Sequence, residues 1–206
     1  MKKYLIVLLF FLIIMKNTSP IPQAKTLEQN IGTCATAAQT YLRVALSEYL
    51  HKDLALVLDI DATCLKFQEN YMTQSLEVNS AILTLSRWAQ EHEIAIFYLS
   101  SRSNKYYNST RNQLIDAGCP LGTLICQTDE SYTALQYKED TYDNDIYNAR
   151  IAEKIGDWKQ YELASIQVTF PIIAFLDDQE TNLDFTDAGN FLVPTPYNQL
   201  NARPGA

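Results

Sequence analysis

The apolar residues of this chain collect in short unbroken runs, and longer stretches of helical period lie between them. Leu54–Leu58, Ile94–Leu99, Thr123–Gln127 and Pro171–Leu176 are too short and too continuous for amphipathic helices, so they predict buried strands. Residues 30–50 predict a leading helix with Leu42, Leu46 and Tyr49 on one face. Val78, Ile82, Leu85 and Ala89 repeat at 4-3-4 spacing and predict a helix of about four turns. A helix over 108–116 should stop at Gly118, and another is expected over 155–166. Residues 64–75 lack a period and read as a flap. Residues 128–150 are the least decipherable part, with a short strand predicted at Ile146–Ala149. Strands alternating with helices predict an α/β fold with a parallel sheet covered by helices on both faces. Ligands then sit beyond the carboxyl ends of the strands. About 35 residues separate the first two strands, too few for a large inserted cap, so an open site is expected.

The first apolar run ends in Asp59-Ile60-Asp61-Ala62-Thr63. Two carboxylates so close together at a strand end repel each other, and a buried carboxylate must be neutralised, paired or metal-bound. Magnesium answers that need, since it binds one or two carboxylates and keeps positions for phosphate oxygens. Two turn or cap aspartates are the plainer alternative. The second run ends in Ser100-Ser101-Arg102 and the fourth in Asp177-Asp178, with Lys154 opening a helical stretch between them.

Asp59-x-Asp61-x-Thr63, then Ser100, then a lysine, then Asp177-Asp178 resembles the haloacid dehalogenase-like hydrolase superfamily over about residues 50–200. That resemblance implies a Rossmann-like sheet with a small or absent cap, and a set of roles. Asp59 is the implied nucleophile and Asp61 the implied acid and base, while Thr63 fixes the turn and belongs to the substrate-binding set. Ser100 and Arg102 are implied phosphoryl contacts, although Arg102 could instead pair with a carboxylate. Lys154 is the expected charge-neutralising lysine, with Lys138 as the alternative. Asp59, Asp61 (through its backbone carbonyl), Asp177 and Asp178 are the implied Mg2+ ligands. Phe97-Tyr98-Leu99-Ser100-Ser101-Arg102, Thr110-x-x-x-Leu114-x-x-x-Gly118 and Val193-Pro194-Thr195-Pro196-Tyr197 resemble the class B and C acid phosphatases. The chain departs from that pattern at Ser101, where Asn is usual, at Leu176, where Gly is usual, and in the placing of the lysine. Asn182 matches members that carry Asp-Asp at the last motif.

Composition narrows the function further. The 206 residues are 47% hydrophobic and carry a formal charge of −8, which suits one domain with a sizeable core. Lys2 and Lys3 followed by Tyr4–Met15 read as a secretory signal or an N-terminal anchor over residues 1–24, with the phosphatase-like domain over 25–206. Membrane association is expected only if that segment stays uncleaved. Without it three lysines are lost and the charge becomes −11, which argues against a nucleic-acid polymer as partner. A small phosphomonoester, nucleotides included, remains the expected substrate, with Tyr71, Tyr132 and Tyr137 as candidates to stack on a base. Export would make Cys34, Cys64, Cys119 and Cys126 available for disulfides, and their spacing does not suggest zinc. A non-catalytic binding protein on the same fold and a phosphotransferase are the competing readings. Oligomeric state is not legible in the sequence.

Overall fold

The computed structural model describes residues 26–49, 53–66, 77–128, 144–183 and 188–195, with the backbone alone for 144–151. The N-terminal segment, most of the 64–75 flap, Lys138 and the three named tyrosines lie outside the described residues. None of the helices among those residues is long and apolar enough to cross a membrane.

The first element among the described residues is α1 (Leu27–Glu48), where Thr26 and Gln29 form a reciprocal capping box. Ile31, Ala35, Ala38, Leu42 and Ala45 form its buried stripe, and the alanines let the helix lie close to its neighbours. There follow β1 (Ala55–Leu58), α2 (Ser80–Glu91), β2 (Ala95–Ser103), α3 (Tyr107–Asp116) and β3 (Thr123–Gln127). The second half contains α4 (Asn144–Gln167), β4 (Ile172–Asp177) and β5 (Gly189–Leu192). All strand pairings are parallel, in the order β3-β2-β1-β4-β5.

Successive strand residues point to opposite faces, which divides the core in two. Leu56 and Leu58 pack with α1, α2 and Leu114 of α3. Ala55 and Val57 pack on the other face with Leu163 and Ile166 of α4. Full burial of each such Leu or Val stabilises the fold by about 1.5–3 kcal/mol. The sheet is therefore doubly wound, and its order reverses beside β1, so the crevice at the carboxyl ends of β1 and β4 is where a ligand belongs.

Three expectations need correction. The strand predicted at Ile146–Ala149 lies inside α4, which extends well before the expected start at 155. A four-residue stretch is too short to separate the two periods, and here the helix wins. The second strand runs on to Ser103, so Ser100 and Arg102 belong to the strand rather than following it. The edge strand β5 was not expected; it is short, half-exposed and opens with Gly189, so its sequence lacks an apolar run. At α3 the expected stop is present, with Gly118 at φ +75° beyond the helix end.

Candidate active site

The strand β1 delivers Asp59 to the sheet's carboxyl edge, and its backbone N–H donates to the Leu176 carbonyl of β4 at 2.9 Å. From there the chain bends sharply. Ala62 takes a left-handed conformation at φ 62°, which costs a non-glycine residue about 1–3 kcal/mol and persists only when its surroundings enforce it. The enforcing group is Asn79, buried just before α2. Its side-chain amide donates to the Thr63 carbonyl at 2.6 Å and the Ala62 carbonyl at 3.3 Å. The Asn79 N–H also donates to the Cys64 carbonyl at 2.9 Å. Leu65 bridges Val78, and Lys66 pairs with Glu77 at 3.2 Å, closing the base of the flap.

The lysine at the site is Lys159, not Lys154. Lys159 Nζ donates to Asp59 Oδ1 at 2.6 Å and Asp177 Oδ2 at 2.5 Å, with all three side chains at most 7% exposed. Lys154 is exposed on the same helix, five residues earlier. Among the α4 residues from 152 onward, Gly156, Lys159, Leu163 and Ile166 are the buried positions, at 3-4-3 spacing. A lysine standing within an apolar helical stripe was the signal in the sequence. Gly156 lets α4 come this close: a Cβ there would lie 2.9 Å from the Thr181 carbonyl oxygen.

Asp177 is fully buried and held on every side. Its Oδ1 accepts from the Gln179 N–H at 2.8 Å and from Asn182 Nδ2 at 2.9 Å, so Asn182 does serve this motif. Gln160 ties Asn182 back to α4 at 2.7 Å, and the Val193 N–H donates to the Asp177 carbonyl at 2.8 Å. Oxygens of Asp59, Asp177 and Asp178 all lie within 4.8 Å of one another, the convergence a shared cation requires. Burial pushes the Asp59 carboxyl well above the ordinary carboxylate range, and Asp177, Asp178 and Asp61 add to it against the pull of Lys159. Burial and the charge of Asp177 push Asp178 up to about 6. Burial works against the charge of Lys159, but Asp59 and Asp177 outweigh it and hold the ammonium firmly protonated.

The carboxylate of Asp61 stands outside the three-aspartate cluster. Arg102 takes both of its oxygens, Nε to Oδ2 at 2.8 Å and Nη2 to Oδ1 at 2.6 Å. Only the backbone carbonyl of Asp61 is left to offer a metal. Of the two roles open to Arg102, the structure displays the carboxylate pair. Ser100 is 1% exposed, and its Oγ accepts from the Arg102 N–H at 3.2 Å. Thr63 is fully buried, and its hydroxyl lacks a hydrogen-bond partner. All four cysteines are free thiols.

No family model and no curated protein sequence matches the chain. Among solved structures, it is similar to the class C acid phosphatase from Bacillus anthracis, at 20% identity and a TM-score of 0.55. That match covers 80% of this chain and 68% of the other. The same enzyme solved with tungstate bound matches at 18% identity and a TM-score of 0.53, covering 84% of this chain and 80% of that one. At such identity the likeness is one of fold: this chain shares the α/β architecture of the class C acid phosphatases.

Proposed function

We propose that this protein is an exported phosphoric monoester hydrolase that acts on small phosphomonoesters with the help of magnesium. The observation that carries the reading is the convergence of Lys159, Asp177 and Asp178 on Asp59 at the switch point of the sheet, with Asp61 two residues on. The tungstate-bound neighbour supports it, since tungstate is a tetrahedral oxyanion like phosphate. Export rests on the basic and apolar N-terminus, and the acidic charge disfavours a polyanionic partner.

The donor set suits a hard divalent cation. Four carboxylates (Asp59, Asp61, Asp177 and Asp178) face two cations (Lys159 and Arg102), so a formal charge of −2 remains for one such ion to cancel. Asp59, Asp177 and Asp178 would hold it with their carboxylates and Asp61 with its backbone carbonyl. When bound, magnesium supplies charge neutralisation for phosphoryl oxygens.

The residues divide the chemistry between them. An Asp59 oxygen attacks phosphorus, forming the aspartyl-phosphate bond as the bond from phosphorus to the ester oxygen breaks. A proton from the Asp61 carboxyl goes to the departing oxygen. In the second half a water oxygen attacks phosphorus, its proton returns to Asp61, and the bond to Asp59 breaks to release phosphate. Lys159 neutralises charge on Asp59 and on the phosphoryl group throughout.

The test is turnover of p-nitrophenyl phosphate by the purified protein, with magnesium and with chelator, for the wild type and Asp59→Asn. Magnesium-dependent turnover that vanishes in a folded Asp59→Asn protein is the expected result. A near wild-type rate in that variant overturns the aspartyl-phosphate route.

A further inference from the structure

Arg102 is gripped from two sides. Two of its nitrogens hold Asp61, while Nη1 donates to Gln113 Oε1 at 2.6 Å and to Thr110 Oγ1 at 3.3 Å, both on α3. Thr110 and Gln113 are three residues apart and so share a helix face. The Asp61 side chain is 40% exposed and lies beside a left-handed bend, so packing does little to fix its rotamer. A bidentate guanidinium does fix a carboxylate. The arginine, however, carries about 2 kcal/mol of rotamer entropy of its own and needs an anchor. Its backbone is tied by Ser100 Oγ, and its head is tied by α3.

We propose that Gln113, assisted by Thr110, is a positioning residue for Asp61 and acts through Arg102. This rests on the phosphatase reading above and goes beyond it: it gives α3 a part in determining which leaving groups the site handles. Asp61 gives its proton to the ester oxygen as the bond from phosphorus breaks, and takes one from water in the second half, a step that every ester shares. A nitrophenolate leaves without that proton, whereas an alkoxide does not. Loosening Asp61 therefore penalises alkyl esters selectively, while the attack by Asp59 is unaffected.

The test compares kcat/KM on glycerol phosphate with kcat/KM on p-nitrophenyl phosphate, which report the first half of the reaction alone, in excess magnesium, for the full chain and two variants. Gln113→Leu removes the acceptor for Nη1, and Gln113→Glu keeps one. General acid catalysis contributes about 10²–10⁴-fold, so partial misplacement in Gln113→Leu should lower the ratio by about tenfold. Gln113→Glu should return it to within about twofold of the wild type. Because the ratio is taken within one sample, a fraction of unfolded protein cancels out. An unchanged ratio in Gln113→Leu, or an equal defect in both variants, overturns the inference while leaving the phosphatase reading intact. A wild type that hydrolyses neither ester overturns the phosphatase reading, and this inference falls with it.

Discussion

Replacing Lys159 by Met leaves a hole in charge rather than in volume. The ammonium lies 2.6 Å from Asp59 and 2.5 Å from Asp177, both almost wholly buried. Methionine fills much the same space, so the loss is electrostatic. Removing one partner from a buried pair costs about 3–5 kcal/mol, because the remaining charges are left uncompensated. With a urea dependence of about 1–3 kcal/mol per molar, the unfolding midpoint should fall by about 2 M.

The pH dependence follows from the shifts at the site. Lys159 has a raised value in the fold, so its contribution is complete below the ordinary lysine range and constant between pH 5 and 8. Any variation of the penalty in that window must come from carboxylates. Asp59 is already raised, so it favours the fold below the ordinary carboxylate range, and that contribution is lost as pH rises through its folded value. Deleting Lys159 raises Asp59 further. In chelator the penalty should therefore be smaller at pH 5 than at pH 8, since acidification favours the protonated form of Asp59. Urea melts of both proteins at the two pH values measure this. A penalty below about 1 kcal/mol at pH 8, or one that grows on acidification, would refute the buried bridge.

Two further substitutions probe the scaffold. Asn79→Ala leaves the Ala62 and Thr63 carbonyls without their side-chain donor. Thermal melts should register a loss of about 1–3 kcal/mol, with a fall in turnover as the strained bend relaxes. Gly156→Ala tests the close approach of α4: helix propensity favours alanine by about 1 kcal/mol, but the clash with Thr181 should cost about 1–3 kcal/mol. A net stabilisation would show that α4 is not held against Thr181.

Four strands of the sheet were legible because they are short, largely apolar runs, and those at Leu54–Leu58 and Pro171–Leu176 lead straight to Asp59 and Asp177. Residues that follow one another along a strand end reveal themselves together. Contacts across the fold do not. Lys159 is 100 residues from Asp59, and spacing to the last motif favours Lys154 over Lys138 without pointing to Lys159; only the burial stripe Gly156, Lys159, Leu163, Ile166 singles it out. Likewise Arg102 reaches Asp61 across 41 residues and Gln113 across 11, polar pairs that leave no period in the sequence. Asn79 precedes its helix in the manner of an N-cap, yet its side chain makes no cap bond and is used to clamp the bend.

The arrangement resolves the problem posed by two aspartates one residue apart. Asp59 faces the side of the sheet covered by α4, where Lys159 meets it. The bend at Ala62 accompanies the turning of Asp61 toward β2 and α3, where Arg102 meets it. Each carboxylate thus has its own cation, drawn from a different element, and their mutual repulsion is answered twice. Their surroundings differ as their proposed tasks do. Asp59, 7% exposed, is desolvated as a nucleophile should be, while Asp61, 40% exposed, stands open to solvent beside the site. Either aspartate alone would fit a structural role. The two environments, side by side in one loop, are what an acid–base residue and a nucleophile require of the same few residues.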